Sequence, residues 1–276
     1  MPDFLPRARR EPPNPSSAMD LGRYLEDFRR QGRTRVDNLV LLETVDSTNL
    51  VARRIAAGCL EAGHPPPATL VVALQQTHGR GRRGRHWSSP RAKGVYASWI
   101  LPLSNRRELV TLPLLVGVGL ADGLSAILDE ECRLKWPNDL MVGGRKIGGI
   151  LIESLATGDD GLLAIVGFGV NNSQTRDELP VKAATSIELE TGGAPILAEL
   201  TGRLVDAVAA ELQSLGDMEA AVDRYRRRTA HHRGDHIRCQ TAAGVVEGTF
   251  AGFDDRGFLR LHSASGEQLV VAGDLS

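Results

Sequence analysis

The sequence is poor in cysteine, and none of the three it has stands near another. Cys59, Cys132 and Cys239 form no CxxC pair, which argues against a zinc site and a disulfide framework. Small buried thiols in a reducing compartment fit that pattern better. An excess of either charge is also missing. Against 33 Lys+Arg stand 34 Asp+Glu, so overall charge does not favour a general nucleic-acid or membrane-surface binder. No apolar run reaches the roughly 20 residues that span a bilayer. The opening MPDFLPRARREPPNPSS has no apolar stretch of the kind that directs secretion. The expectation is a cytoplasmic protein without a membrane partner. Its 276 residues, 42% of them hydrophobic, suffice for one sizeable core, or for a large domain and a small one.

Patterning predicts three parts. Residues 1–35 read as a Pro/Arg-rich lead-in with a short helix over Asp20–Arg30. Residues 36–230 alternate strands with helices. Strands are expected over Val36–Glu43, Thr69–Gln76, Gly94–Leu101, Arg133–Trp136, Leu140–Val142, Lys146–Glu153 and Leu162–Val170. Helices are expected over Leu50–Ala57, Leu109–Leu128, Pro195–Leu215 and Asp217–Arg228. Residues 231–276 hold short strands split by turns such as Asp254–Gly257, the pattern of a small β-barrel.

The most unusual stretch is Gln76–Trp87. It places Arg80, Arg82, Arg83 and Arg85 among Gly79, Gly81 and Gly84, and no Asp or Glu occurs from Leu74 to Arg107. Glycine permits close backbone approach, and arginine presents planar, permanently charged forks to carboxylate or phosphate. Such a loop suits closure over an anion. A solvated basic loop and an RGG-like nucleic-acid segment are the alternatives, and the loop's position between two apolar strands opposes the second.

Other clusters are ambiguous singly. In Lys135–Asp139, Asn138 and Asp139 could orient Mg²⁺ and phosphates, or form a plain turn. Lys146 heads the apolar strand of KIGGILIE, either as a point charge for an anion or as a surface lysine. Asn171 ends a strand as a metal ligand or a terminator. Asp46–Asn49 could be a helix cap or present hydroxyls and N–H groups to a ligand. The histidines are weak signals, and His231–His232 read as linker surface.

In order and spacing, DSTN, QTHGRGRRGRHW, KWPNDL, KIGGILIE, GFGVNN and the Ala184–Ile187 segment resemble the biotin–protein ligase family from Val36 to the C-terminus. The resemblance implies an α+β fold: a mixed β-sheet flanked by helices, akin to class II synthetases, with a C-terminal SH3-like barrel. It implies ATP- and Mg²⁺-dependent activation of biotin to biotinyl-5′-AMP. Transfer to a lysine of the biotin carboxyl carrier protein of acetyl-CoA carboxylase or a related carboxylase would follow. By the same resemblance, Ser47, Thr48, Asn49, Gln76, Arg80, Gly81, Arg82 and Lys146 would contact biotin. Arg85, Trp87, Asn138 and Asn171 would serve the nucleotide, and Asp139 and Asn171 the metal. Lys146, Arg82 and Asp139 would act in catalysis. His78 departs from the small residue common in relatives. The segment before Val36 is too short and Pro-rich for a helix-turn-helix, so no DNA partner is expected. A monomer or a homodimer fits. The competing functions are a lipoate–protein ligase and, in another class, a nucleic-acid-binding module built on the arginine loop.

Overall fold

The computed structural model describes residues 36–157, 161–264 and 266–275. The expected lead-in and its helix lie outside them, as does most of the expected turn at 158–161.

Seven strands form the main sheet: β1 (Asn38–Val45), β2 (Thr69–Gln76), β3 (Gly94–Leu103), β4 (Arg133–Lys135), β5 (Asp139–Val142), β6 (Arg145–Ala156) and β7 (Leu162–Asn171). Their spatial order is β1-β2-β3-β7-β6-β5-β4. β1 and β2 run parallel, joined by a crossover through helix α1 (Thr48–Glu61), and the other pairs are antiparallel. The sheet is therefore mixed.

The side-chain period of two divides the central strands between two cores. Val71, Ile100 and Ile165 point toward Ala52 and Ala56 of α1. Leu70, Val72, Leu74, Trp99 and Val166 point to the opposite face. That face is covered by α2 (Arg106–Ser125), with α4 (Leu197–Glu211) and α5 (Met218–Arg228) packed on it. The short α3 (Ile187–Thr191) precedes them.

α2 begins earlier than its apolar pattern suggests. Asn105 caps it by accepting from the N–H groups of Arg107 and Glu108, and Pro113 falls inside the helix. By length and composition α2 is apolar enough to cross a membrane (mean hydropathy 1.4 over 18 residues), but two-thirds of that stretch is buried in the protein core. At its C-terminal side, burial pushes the Cys132 thiol up to about 12, leaving it unreactive.

The C-terminal strands are β8 (His236–Thr241), β9 (Gly244–Phe253), β10 (Leu259–Ser263), β11 (Gly266–Val270) and β12 (Asp274–Leu275). They form an antiparallel sheet ordered β11-β10-β9-β8-β12, with no pairing among the described residues that closes it into a barrel. Tyr225 of α5 meets Phe253 edge-on at 5.3 Å between ring centroids, which ties this sheet to the larger unit.

His231 lies in the same junction and not on a linker surface. Its Nε2 accepts from the Trp136 N–H at 3.1 Å, and its ring sits 5.4 Å from that of Phe250. Burial, helped by the nearby Lys135 charge, depresses its pKa to about 4. The folded protein thus holds a neutral imidazole where the unfolded chain binds a proton below about 6.5. Stability from this residue is complete above pH 6.5 and is lost as pH falls toward 4, by up to about 3 kcal/mol. Urea unfolding should show this loss in the wild type and a shallower acid slope in His231→Gln. Identical slopes would remove His231 as the cause.

Candidate functional site

The C-terminal ends of parallel β1 and β2 open at the same edge of the sheet, and a cleft forms there. It spans about 870 Å³, part of it open to solvent. Ser47, Thr48, Asn49, Gln76, Arg80, Gly81, Arg82, Arg85, Trp87, Asn138, Asp139 and Lys146 all line it. Of the residues to which the resemblance assigns a ligand, Asn171 alone stays outside this lining. It is buried, its Nδ2 donates to Thr185 O at 2.8 Å, and its Oδ1 accepts from Gln174 Nε2 at 3.1 Å. A side chain engaged in this way braces the 171–185 loop, away from the residues that line the cleft.

One end of the cleft is a hydroxyl and amide network. Ser47 is the N-terminal residue flanking α1, yet its side chain caps nothing. The Thr48 N–H donates instead to Gln76 Oε1 at 2.8 Å. Gln76 Nε2 then donates to Ser89 Oγ at 2.9 Å. Ser98 Oγ lies 2.7 Å from Thr48 Oγ1 and 2.6 Å from Asn49 Oδ1, with one proton to give between them. Asn49 Nδ2 donates to Glu153 Oε2 at 2.9 Å. Each amide is thereby fixed in orientation, as recognition of a neutral polar head requires. Sequence reading missed Ser98, Ser89 and Glu153. Ser98 left a trace, a hydroxyl within the apolar run VYASWIL.

The arginine loop forms a small hairpin. Gly81 N donates to Arg85 O at 2.7 Å and Trp87 N to Gly79 O at 2.9 Å. A Cβ on Gly79 would sit 2.3 Å from Trp87 O, so the glycine admits the loop's own backbone. The arginines do not stand unpaired either. Arg80 pairs with Glu153 at 3.2 Å, and Arg82, Arg83 and Arg85 converge on Asp274. Burial pulls Arg82 below the usual guanidinium range and Asp274 opposes this.

The opposite wall comes from KIGGILIE and GFGVNN. The Trp87 indole lies over Gly169, where a Cβ would come within 2.5 Å of Nε1. That indole N–H is buried without a hydrogen-bond partner. Lys146 Nζ is 2.5 Å from Asp139 Oδ1 and 5.6 Å from the Trp87 ring centroid. Its backbone is pinned on both sides, with Lys146 N donating to Ala183 O and Thr185 N donating to Lys146 O.

Among the described residues no three His, Cys, Asp or Glu side chains cluster in a way that could hold a metal alone. Asp139 offers one carboxylate to the cleft, and Asp274, which also lines it, is engaged by the loop arginines. That donor set fits Mg²⁺, which commonly takes one or two carboxylates and completes its shell with phosphate and water.

Residues 42–171 match the biotin/lipoate A/B protein ligase family, and residues 232–276 match the biotin protein ligase C-terminal domain. The chain is 31% identical over 244 residues to a biotin–[acetyl-CoA-carboxylase] ligase of Paracoccus denitrificans, spanning 85% of this chain and 98% of that one. It is 30% identical over 219 residues to the ligase of the same name from Mycobacterium tuberculosis, spanning 75% and 77%. The biotin protein ligase of Aquifex aeolicus, solved with biotin and ATP, superposes with a TM-score of 0.70 at 28% identity over 87% of this chain and 98% of that one.

Proposed function

The chain belongs to the biotin–protein ligase family, and from that premise we propose how its cleft carries out the ligation. The observation that carries the proposal is the meeting of four separate motifs on one cavity. A polar network of Ser47, Thr48, Asn49 and Gln76 stands at one end, and Arg82, Arg85, Lys146 and Asp139 at the other. A neutral ureido head fits the first set and a carboxylate beside a polyphosphate fits the second.

The enzyme activates biotin with ATP and attaches it to protein. In the first step a biotin carboxylate oxygen attacks the α-phosphorus. The bond to the bridging oxygen breaks, and pyrophosphate leaves with the electron pair. In the second, a carrier lysine amine attacks the acyl carbon, loses a proton, and expels AMP. The chain's role in the first step is electrostatic. Lys146 and Arg82 lower the repulsion between carboxylate and phosphate, and preorganised charge of this kind is usually the largest catalytic contribution. Arg80 and Gly81 cover the biotin side, Trp87 offers a flat face to the adenine, and Arg85 and Asn138 attend the phosphates. Bound Mg²⁺ would neutralise triphosphate charge, and Asp139 would hold it.

The proposal includes a catalytic unit over 36–230 and a C-terminal unit over 231–276. It also includes the biotin carboxyl carrier protein of a carboxylase as acceptor, and a cytoplasmic setting. Biotin is favoured over lipoate because the relatives named above are biotin ligases. Incubating the protein with ATP, Mg²⁺ and an equimolar mixture of biotin and lipoate should leave biotinyl-5′-AMP bound, seen by native mass spectrometry. Absence of that adduct, or an equal yield of the lipoyl adduct, would refute the assignment.

A further inference from the structure

Asp274 reaches the arginine loop from the far end of the chain. Arg85 Nη2, Arg82 Nη1 and Arg83 Nη1 lie 2.6, 3.2 and 3.4 Å from its carboxylate. Its side chain is only 12% exposed. Arg82 also donates to Gly273 O at 3.2 Å and to Asn138 Oδ1 at 3.2 Å. β12 carries Asp274 and pairs with β8 through Asp274 and Gln240. The pairing is close because residue 273 is glycine: a Cβ there would lie 2.2 Å from Cys239 Sγ. The carboxylate is therefore held by a sheet that is itself well anchored.

The contact is close in charge but incomplete in geometry. Oδ2, the oxygen nearest Arg85, is buried yet receives no aligned hydrogen bond. One carboxylate facing three guanidinium groups leaves two positive charges uncompensated. Arg82, Arg85 and Asp274 all line the cleft, so this excess charge faces the place where a ligand phosphate would lie. A phosphate offers more acceptor oxygens than the carboxylate and can match the planar forks in pairs.

We propose that Asp274 is a positioning residue that stands in for the ligand phosphate. It holds Arg82, Arg83 and Arg85 beside the cleft and yields them when the nucleotide arrives. The C-terminal sheet thereby presets the loop, which its own like charges would otherwise drive open. The inference rests on the reading of the cleft as the biotin and ATP site, and it adds a residue from the C-terminal sheet to the machinery.

Limited trypsin digestion of the full chain tests it, because the loop offers cleavage sites after each arginine and mass spectrometry maps them. Without ligand, Asp274→Asn should be cut between Arg80 and Arg85 about tenfold faster than wild type, since cleavage follows the population of the open loop. Asp274→Glu keeps the charge and should recover most of the protection. Adding biotin and ATP should bring Asp274→Asn close to the wild-type rate, because phosphate replaces the missing carboxylate. A simple strut would not be rescued in that way. Equal ligand-free cleavage of variant and wild type overturns the proposal. So does new cleavage at Arg238, Arg256 or Arg260 that ligand does not suppress, which would mean a damaged sheet. A variant left open by ligands that protect the wild type overturns the exchange. If ligands protect neither protein, the ligand assignment fails, and the ligand-free comparison still decides whether Asp274 holds the loop.

Discussion

Lys146→Ala is expected to lower biotinyl-5′-AMP formation by about 10²-fold or more, the loss seen when one preorganised charge is taken from a polar active site. The reaction joins a carboxylate to a polyanion, so its barrier includes a repulsion that water screens poorly inside a closed cleft. Lys146 is the ammonium best placed to cancel it. Its backbone is bonded on both sides to the 183–185 segment, which fixes where the side chain starts. Its Nζ rests between Asp139 and the Trp87 ring, which fixes where it ends.

Two controls separate this role from a structural one. Lys146→Met keeps an apolar stem of similar length without the charge, and should be nearly as slow as alanine. Lys146→Arg retains charge but spreads it over a planar fork, and should recover part of the rate. Single-turnover formation of the adenylate, followed by rapid quench, is the measurement. A wild-type rate in Lys146→Met would eliminate the charge as the agent. The transfer step with preformed adenylate should suffer less, because the triphosphate is no longer present.

Much of this site is readable in the chain because its parts are local. The short apolar, β-branched run of TLVVALQQ gives β2 directly, and GRGRRGR between two apolar strands is dense enough to suggest a ligand loop. What is not readable is whatever depends on distant pairing. The acid-free stretch around the loop suggests arginines that repel one another, yet Glu153 and Asp274 pair with them from 73 and 192 residues away. No composition window reveals that. Asn171 depends on distant pairing too. A polar residue at a strand end reads as a ligand, and only the fold places Thr185 and Gln174 against both ends of its amide. His231 looks like linker surface because its neighbours are polar, whereas Phe250 and Trp136, which bury it, come from other elements.

Arg82→Gly is expected to separate making the adenylate from keeping it. Lys146 remains in the variant, so activation continues at a reduced rate. What disappears is the guanidinium that the proposal sets on the adenylate phosphate. A charge-assisted contact of that type is worth roughly 1.5–3 kcal/mol, which corresponds to about ten- to a hundredfold faster release. The same side chain bonds Asn138, Gly273 and Asp274, so its removal also cuts a tie between loop and C-terminal sheet. Both losses open the cleft. The mixed anhydride then reaches solution and acylates whichever lysines lie near, instead of the one presented by the carrier. The assay mixes variant, ATP, Mg²⁺ and biotin with an unrelated lysine-rich protein and blots with streptavidin. The variant should label this bystander at least tenfold more than wild type per adenylate formed. Glycine also frees the backbone, so Arg82→Ala serves as a second variant and should behave alike, because the lost guanidinium and not the added flexibility is the cause. If either variant makes adenylate and leaves the bystander at the wild-type level, the arginine loop is not what contains the intermediate.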